Sequence, residues 1–178
     1  MEIKEIEIPE GVAVELQNKT VTVTGKKGSI TRSFRAPSVG IETREGTVAV
    51  STPSHKKKDL ATVGTIRSRI ANMLKGVEEG YEYKLRIFYA HFPMNVAVDG
   101  DRVKIDNFLG ERYPRYAPIV GKTEVRIEGD TVTVSGIDKE HVGQTAANLE
   151  QATRIIKKDP RVFQDGIYLY ERDGVKVK

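Results

Sequence analysis

The chain carries three histidines, His55, His91 and His141, and no cysteine. A zinc ion bound by protein alone takes about four His, Cys or carboxylate ligands, with characteristic short spacings. None of these histidines has another within five residues, and no tight Asp/Glu cluster accompanies them, so no metal centre is expected. Without cysteine there are no disulfides and no thiolate chemistry, which fits a reducing cytoplasm. Gly121-Lys122-Thr123 has the form of the end of a phosphate-binding loop. That loop needs a glycine five positions before Gly121, where Tyr116 stands, and a helix afterwards. Glu124–Glu128 instead alternates like a strand. No serine sits in a nucleophile elbow, and no carboxylate pair stands out from the surface acids. The residues make no case for an enzyme, a cofactor or a small-molecule substrate.

What remains is positive charge and its placement. The formal net charge is +4, with Lys+Arg 29 against Asp+Glu 25. Ser54–Lys75 holds six basic residues and one acid, Lys26–Arg35 four and none, and Arg154–Lys178 seven against four. The N-terminal fifteen residues hold five glutamates and one lysine, the opposite of a signal or transit peptide. Charge segregated in this way suits a polyanion on one face, though a solvated surface also explains it.

Three clusters carry this reading. Lys56-Lys57-Lys58 opens a helix or lies just before it. At a helix start the lysines oppose the macrodipole, and an anionic partner would reverse that cost. With Asp59 as the cap they are simply loop. Arg67 and Arg69, farther along, are two residues apart and point in different directions. Glu111-Arg112-Tyr113-Pro114-Arg115-Tyr116 interleaves two arginines with two tyrosines in a loop stiffened by Pro114. Arg can bridge phosphates and Tyr can stack on an unpaired base, which suits irregular RNA. The plain alternative returns the tyrosines to the core. Lys157 and Lys158 at the end of a helix are favoured by the dipole alone. Arg161 and the tail cations Arg172, Lys176 and Lys178 need another reason.

The elements that must position these residues repeat. Pro9, Val12, Ala13 and Val14 match Pro93, Val96, Ala97 and Val98, 84 residues on. Thr47-Val48-Ala49-Val50-Ser51 matches Thr131-Val132-Thr133-Val134-Ser135 at the same offset, and Val21 and Gly28 match Val103 and Gly110 at 82. Several matches in one order at nearly one spacing predict a duplication. The boundary falls near Gly80, giving domains at 1–80 and 81–178, the second with a basic tail. In each copy the period is two, then three to four. Val21 and Val23 face a core, and Gly25 and Gly28 are available for positive φ around Lys26-Lys27. Strands are expected near Ile30–Arg35, Val39–Thr43 and Thr47–Ser51. Leu60, Val63, Ile66, Ile70, Met73, Leu74 and Val77 then form one face of a helix. The second copy predicts strands near Tyr83–Phe92, Asn95–Val98, Val103–Asn107, Glu124–Glu128 and Thr131–Ser135. Asp138 caps a helix with apolar face Val142, Ala146, Leu149, Ala152, Ile155 and Ile156, stopped by Pro160. The fold class is α+β: two tandem copies of a small antiparallel sheet covered by one helix. The longest apolar run is a few residues, so no segment spans a bilayer and no membrane partner is expected.

Together these segments resemble a known family. Gly64-Thr65-Ile66-Arg67 followed by Asn72-Met73-Leu74-Lys75-Gly76-Val77 is similar to the first-domain helix of ribosomal protein six of the large subunit. The run from Val134 to Ala147, including Val142-Gly143-Gln144, resembles its second-domain strand–turn–helix. Asp159-Pro160-Arg161-Val162-Phe163-Gln164-Asp165-Gly166-Ile167-Tyr168 resembles the C-terminal signature of its archaeal and eukaryotic branch, with the compact tail favouring the archaeal. One departure is Glu171, where a basic residue is expected. The resemblance implies a structural part of the large subunit, binding its ribosomal RNA mainly through the second domain. It implies a place near the sarcin–ricin loop and translation-factor site, with the first domain toward the stalk base and neighbouring large-subunit proteins. It carries RNA contact onto Arg161, Gly166 and Gly143-Gln144. Charge adds Lys157, Lys158, Arg172, Lys176 and Lys178, and the Arg/Tyr loop adds Arg112 and Arg115. The expected location is the cytoplasm, on the ribosome.

Overall fold

The computed structural model describes residues 2–159 and 161–177, so Pro160 and Lys178 lie outside the described residues. The chain divides into two compact units at Gly80/Tyr81. In the first, strands β1 (Glu2–Glu7), β2 (Ala13–Gln17), β3 (Thr20–Gly25), β4 (Gly28–Ser33), β5 (Gly40–Arg44) and β6 (Thr47–Thr52) precede helix α1 (Lys57–Glu78). They form two antiparallel sheets, ordered β1-β6-β5 and β2-β3-β4. Alternation in Thr20–Thr24 buries Val21 and Val23, as the period-two pattern requires. The helix stripe Val63, Ile66, Ile70, Met73, Leu74 and Val77 is buried against β1, β3 and β6.

The second unit repeats the layout and extends it. Strands β7 (Tyr81–Phe88), β8 (Asn95–Asp99), β9 (Arg102–Asp106), β10 (Arg115–Pro118), β11 (Glu124–Glu128) and β12 (Thr131–Gly136) precede α2 (Lys139–Ala152), with β13 (Gly166–Arg172) and β14 (Val175–Lys176) following. The sheets are β10-β9-β8 and β11-β12-β7-β13-β14. Strands β6 and β12 hold the same central position, between β1 and β5 in one unit and between β7 and β11 in the other. The duplication read from the 84-residue offset is therefore a repeat of topology, with two small sheets per unit where the sequence predicted one.

Several expectations need correction. Strands β1, β2 and β10 were not distinguished by periodicity alone, and Tyr83–Phe92 is strand only to Phe88. The basic tail, as far as it is described, is part of the sheet. Strand β13 pairs with β7 over its length, buries Ile167 and turns back through β14. Helix α2 starts at the predicted cap, Asp138, whose carboxylate accepts from the Glu140 N–H at 2.9 Å. It stops at Ala152, short of Ile155 and Ile156, because distant groups claim its end. Buried Thr153 folds its hydroxyl back to the Leu149 carbonyl (3.2 Å) and accepts the Ile167 N–H of β13 (2.9 Å). The Arg115 guanidinium takes the Ala152 carbonyl at 2.9 Å. Lys157 and Lys158 are thus outside the helix, and its dipole does not explain them.

The turn at Gly25–Gly28 shows a different use of glycine from the one expected. Gly25 has no positive φ; a Cβ there would lie 2.8 Å from the Val77 side chain and 2.9 Å from its carbonyl oxygen. That carbonyl also accepts the Lys27 N–H at 2.9 Å, pressing the hairpin onto α1. Replacing Gly25 with Ala forces backbone apart, and the expected loss is about 2 kcal/mol of stability. Thermal denaturation of Gly25→Ala measures it; an unchanged midpoint would contradict the close approach.

Candidate nucleic-acid interface

One end of the second unit gathers three loops, residues 89–94, 107–114 and 153–165, and their frame is polar and aromatic. Asp165 is 1% exposed. Its carboxylate accepts the backbone N–H of Ala90 (3.0 Å) and of His91 (3.2 Å) and meets His91 Nδ1 at 2.8 Å. Burial alone would push the Asp165 carboxyl up, but the His91 side chain and the two amides outweigh it and hold it below the usual carboxylate range. The His91 ring stacks on Phe163 with centroids 4.7 Å apart, and the Lys158 ammonium sits 4.5 Å from the Phe163 centroid. The Asn107 amide donates to the Pro93 carbonyl at 2.9 Å, and Gly110 packs beside the Phe92 ring. Asn107 and Leu109 both hold left-handed backbone, φ 58 and φ 51, a cost that these contacts sustain.

The arginines of the 111–116 segment divide the work. Arg115, the first residue of β10, is committed internally. Its guanidinium forks onto Glu111 at 2.8 and 2.6 Å, donates to the Ala152 and Arg154 carbonyls, and lies over the Phe108 ring. Arg115 in turn holds the Glu111 carboxyl below its ordinary value through those hydrogen bonds. Arg112 and Tyr113 are left at the tip, exposed, with Arg112 bonded to no described residue. Tyr116 is half-exposed against Arg102 rather than in the core.

The C-terminal candidates do not form one patch. Lys157, Lys158 and Arg161 lie on the loop end. Arg161 is highly exposed and forks onto Asp159 at 3.1 and 2.9 Å, which lowers the Asp159 carboxyl. An exposed pair of this kind is worth little and exchanges readily for another anion. Arg172 and Lys176 sit at the other end of β13, roughly 20 Å away at the usual rise per residue. Gly143 and Gln144 are on the first half of α2, roughly 12 Å along its axis from Ala152. Gln144 bonds Asn148, and Gly143 faces the Tyr83 ring at ordinary contact distance. Gly166 is buried, and a Cβ there would come within 3.1 Å of the Tyr168 ring, so its bareness serves that ring.

In the first unit Lys56 is the N-cap of α1 without a side-chain cap, and Lys57 and Lys58 fill the first turn; they are not loop. Asp59 accepts from the Ser38 hydroxyl at 2.7 Å. Hydrogen bonds from Ser54 and Ser38, then the charges of Lys56 and Lys58, lower its carboxyl. These lysines border a cleft of about 420 Å³ that Arg35 also lines. Gly121-Lys122-Thr123 leads into strand β11, not a helix. Among the described residues no group of three His, Cys, Asp or Glu could hold a metal. The His91–Asp165 pair escaped the sequence because its members are 74 residues apart. The only local signal was an aromatic-rich run, Phe88-Tyr89-Ala90-His91-Phe92, too polar in part for a buried strand.

Comparison with known proteins gives the family. The model described as Ribosomal protein L6 matches residues 8–80 and 92–166, one match in each unit. Archaeal relatives named large ribosomal subunit protein uL6 align along nearly the whole chain. That of Methanobrevibacter smithii is 55% identical over 170 residues, covering 96% of both chains. That of Methanocella arvoryzae is 55% identical over 168 residues, covering 94% of this chain and 95% of the other. That of Natronomonas pharaonis is 47% identical over 167 residues, covering 94% of each.

The loop frame predicts a pH signature. Asp165 has a lowered carboxyl, so the stability it contributes is full above its unfolded value near 3.8 and lost as pH falls through the lower folded value. Asp165→Ala should cost about 3 kcal/mol at neutral pH, since two amides and an imidazole lose a charged acceptor. The gap between wild type and variant, followed by chemical denaturation, should narrow as pH falls below the unfolded carboxylate value near 3.8. A gap that failed to narrow there would contradict the assignment.

Proposed function

Because the chain belongs to the ribosomal protein L6 family, we propose that it is a structural constituent of the large ribosomal subunit and grips large-subunit ribosomal RNA through the loop end of its second unit. The family is structural, not enzymatic, and the place of this chain is within the ribosome. The observation that carries the RNA reading is the set of exposed cations on a fixed frame. Lys157, Lys158, Arg161 and Arg112 stand around the Asp165–His91–Phe163 and Arg115–Glu111 contacts, with Tyr113 84% exposed beside them. Cations on a rigid scaffold meet phosphates with little ordering cost, and Asp159 yields Arg161 to a phosphate by simple exchange.

Within the subunit, the finer placement follows the resemblance. The second unit lies near the sarcin–ricin loop and the translation-factor site, and the first unit faces the stalk base and its neighbouring proteins. Gly143-Gln144, Arg172 and Lys176 then serve contacts separate from the loop end, since distance removes them from it. Arg115 and Gly166 act from within, by holding the loops and Tyr168 in place. What supports this division is which groups are already committed inside the protein and which are not.

Two measurements test it. The native protein should co-sediment with large subunits through a high-salt wash. Binding to a large-subunit RNA fragment should fall with salt, with a log–log slope near −3.5 to −4.5 for about five phosphate contacts. Truncating the tail would break the β7–β13 sheet, so point variants are the cleaner probe. Lys157, Lys158 and Arg161 all changed to Ala should weaken binding about fivefold per contact and flatten the slope by about 2 to 3. Changing Lys56, Lys57 and Lys58 to Ala should cost less. The reverse order would move the anchor to the first unit and leave ribosomal membership intact.

A further inference from the structure

Beside the cationic loop, the C-terminal end of α2 borders a cleft of about 340 Å³. That volume is at the small end of the ~300–1,000 Å³ typical of small-ligand pockets, the scale of one ring system. Ile155, Phe163 and Tyr168 supply apolar walls, and Gln151, Arg154 and Gln164 supply polar ones. We propose that this cleft receives a single unstacked nucleotide of ribosomal RNA, its base against Tyr168. The proposal rests on the RNA-binding reading above and names a subsite for it.

The argument turns on which groups are free. The Glu150 carboxylate is used by the Leu169 N–H at 2.9 Å, and the Thr153 hydroxyl by the Ile167 N–H. The Gln151 amide and the Arg154 guanidinium make no hydrogen bond with any described residue, and the Gln164 amide reaches the Arg161 carbonyl only at 3.5 Å. Two amides supply donors and acceptors together, which is what the edge of a base needs; a guanidinium supplies donors in a plane. A cleft built for an apolar side chain would leave these groups without partners on closure, at a cost.

The rings are prepared unequally. Phe163 already lies against His91 on one side and under Lys158. Tyr168 is 46% exposed, its ring lies beside bare Gly166 and its hydroxyl reaches the Asp165 carbonyl at 3.4 Å, so the ring is held in place and still accessible. Stacking on a supported ring costs little side-chain ordering. The segment lining the cleft also carries Lys157, Lys158 and Arg161, so the sugar–phosphate on either side of an inserted base would meet cations. A base in a duplex is stacked on both faces and cannot reach the cleft.

The test uses the full chain with short RNA hexamers of each base, the corresponding blunt duplexes, and the free mononucleotides. Single strands should bind at least tenfold tighter than duplexes and than mononucleotides, which lack flanking phosphates. Tyr168→Ala should weaken single-strand binding about tenfold with the salt slope unchanged, because stacking is not ionic, while Tyr168→Phe should bind as wild type. Gln151→Ala, away from the ring, should weaken binding several-fold, which keeps the test decisive if Tyr168→Ala folds poorly. In wild type the Tyr168 ring protons should shift upfield on binding. Unchanged binding in both Tyr168→Ala and Gln151→Ala overturns the proposal, as does duplex binding equal to single-strand binding. Mononucleotides competing as well as hexamers would make the cleft a free-nucleotide site and overturn the RNA assignment. Loss of co-sedimentation with normal RNA binding in these variants would mean a protein partner there. In each of these cases the loop-lysine variants still judge the wider function separately.

Discussion

A carboxylate taken out of water must be met by donors or give up its charge, and Asp165 is met by three. Two of them are consecutive backbone amides at Ala90 and His91, so the Asp165 position fixes where the chain runs after β7. The third is an imidazole whose ring then stacks on Phe163. That one side chain couples the approach to β13, the loop after β7 and the segment that carries Lys158 and Arg161. The cations are exposed, but their backbone is tied to a buried anchor. Exposure leaves the cations open to an anionic partner, and a fixed backbone lowers the entropy that any such binding loses.

Duplication explains why there is an edge for β13 to occupy. In the first unit β1 pairs with β6 alone and leaves an edge, and its sequence, Glu2-Ile3-Lys4-Glu5-Ile6-Glu7, is mostly charged, as edges tend to be. In the second unit the equivalent strand, β7, accepts β13 on that side. The new edge of β13 is then covered from α2: Thr153 and Glu150 accept the N–H groups of Ile167 and Leu169. Thr153 thus both ends the helix and seals the strand. The region that distinguishes the second unit is therefore also the one that brings the cationic loop into register with the sheet.

The periodic part of this was legible from sequence. Val21 and Val23, the stripe from Val63 to Val77, the Asp138 cap and the repeat itself follow from local pattern, because each depends on neighbours within a turn or a strand. The end of α2 was not. No glycine marks it, and the groups that stop it, Ile167 and Arg115, are 14 and 37 residues from their partners. Arg115 looked identical in kind to Arg112, yet one is spent on Glu111 and two carbonyls while the other is exposed. Gly166 is marked in sequence only as a glycine of the C-terminal run, and the missing Cβ makes room for the Tyr168 ring two residues on. Residue type announces chemistry; commitment to other residues decides whether that chemistry is available, and commitment is long-range.

The lysines of the first unit show the same distinction from the other direction. Three cations at a helix start oppose the dipole by a few tenths of a kcal/mol each, which on its own would call for an external anion. Asp59 in that first turn already supplies one, fixed by the Ser38 hydroxyl and pulled to its charged form by Ser54, Ser38 and the lysines themselves. The local electrostatic need is thus partly met inside the chain. Around the end of α2 the acids Glu150, Asp159 and Asp165 are each bound to a named partner, while the side chains of Gln151, Arg154 and Lys157 bond to no described residue. Lys56–Lys58 offer ammonium groups alone, whereas the end of α2 sets amides and a guanidinium beside its ammonium groups, a wider range of donors and acceptors for a ligand to satisfy.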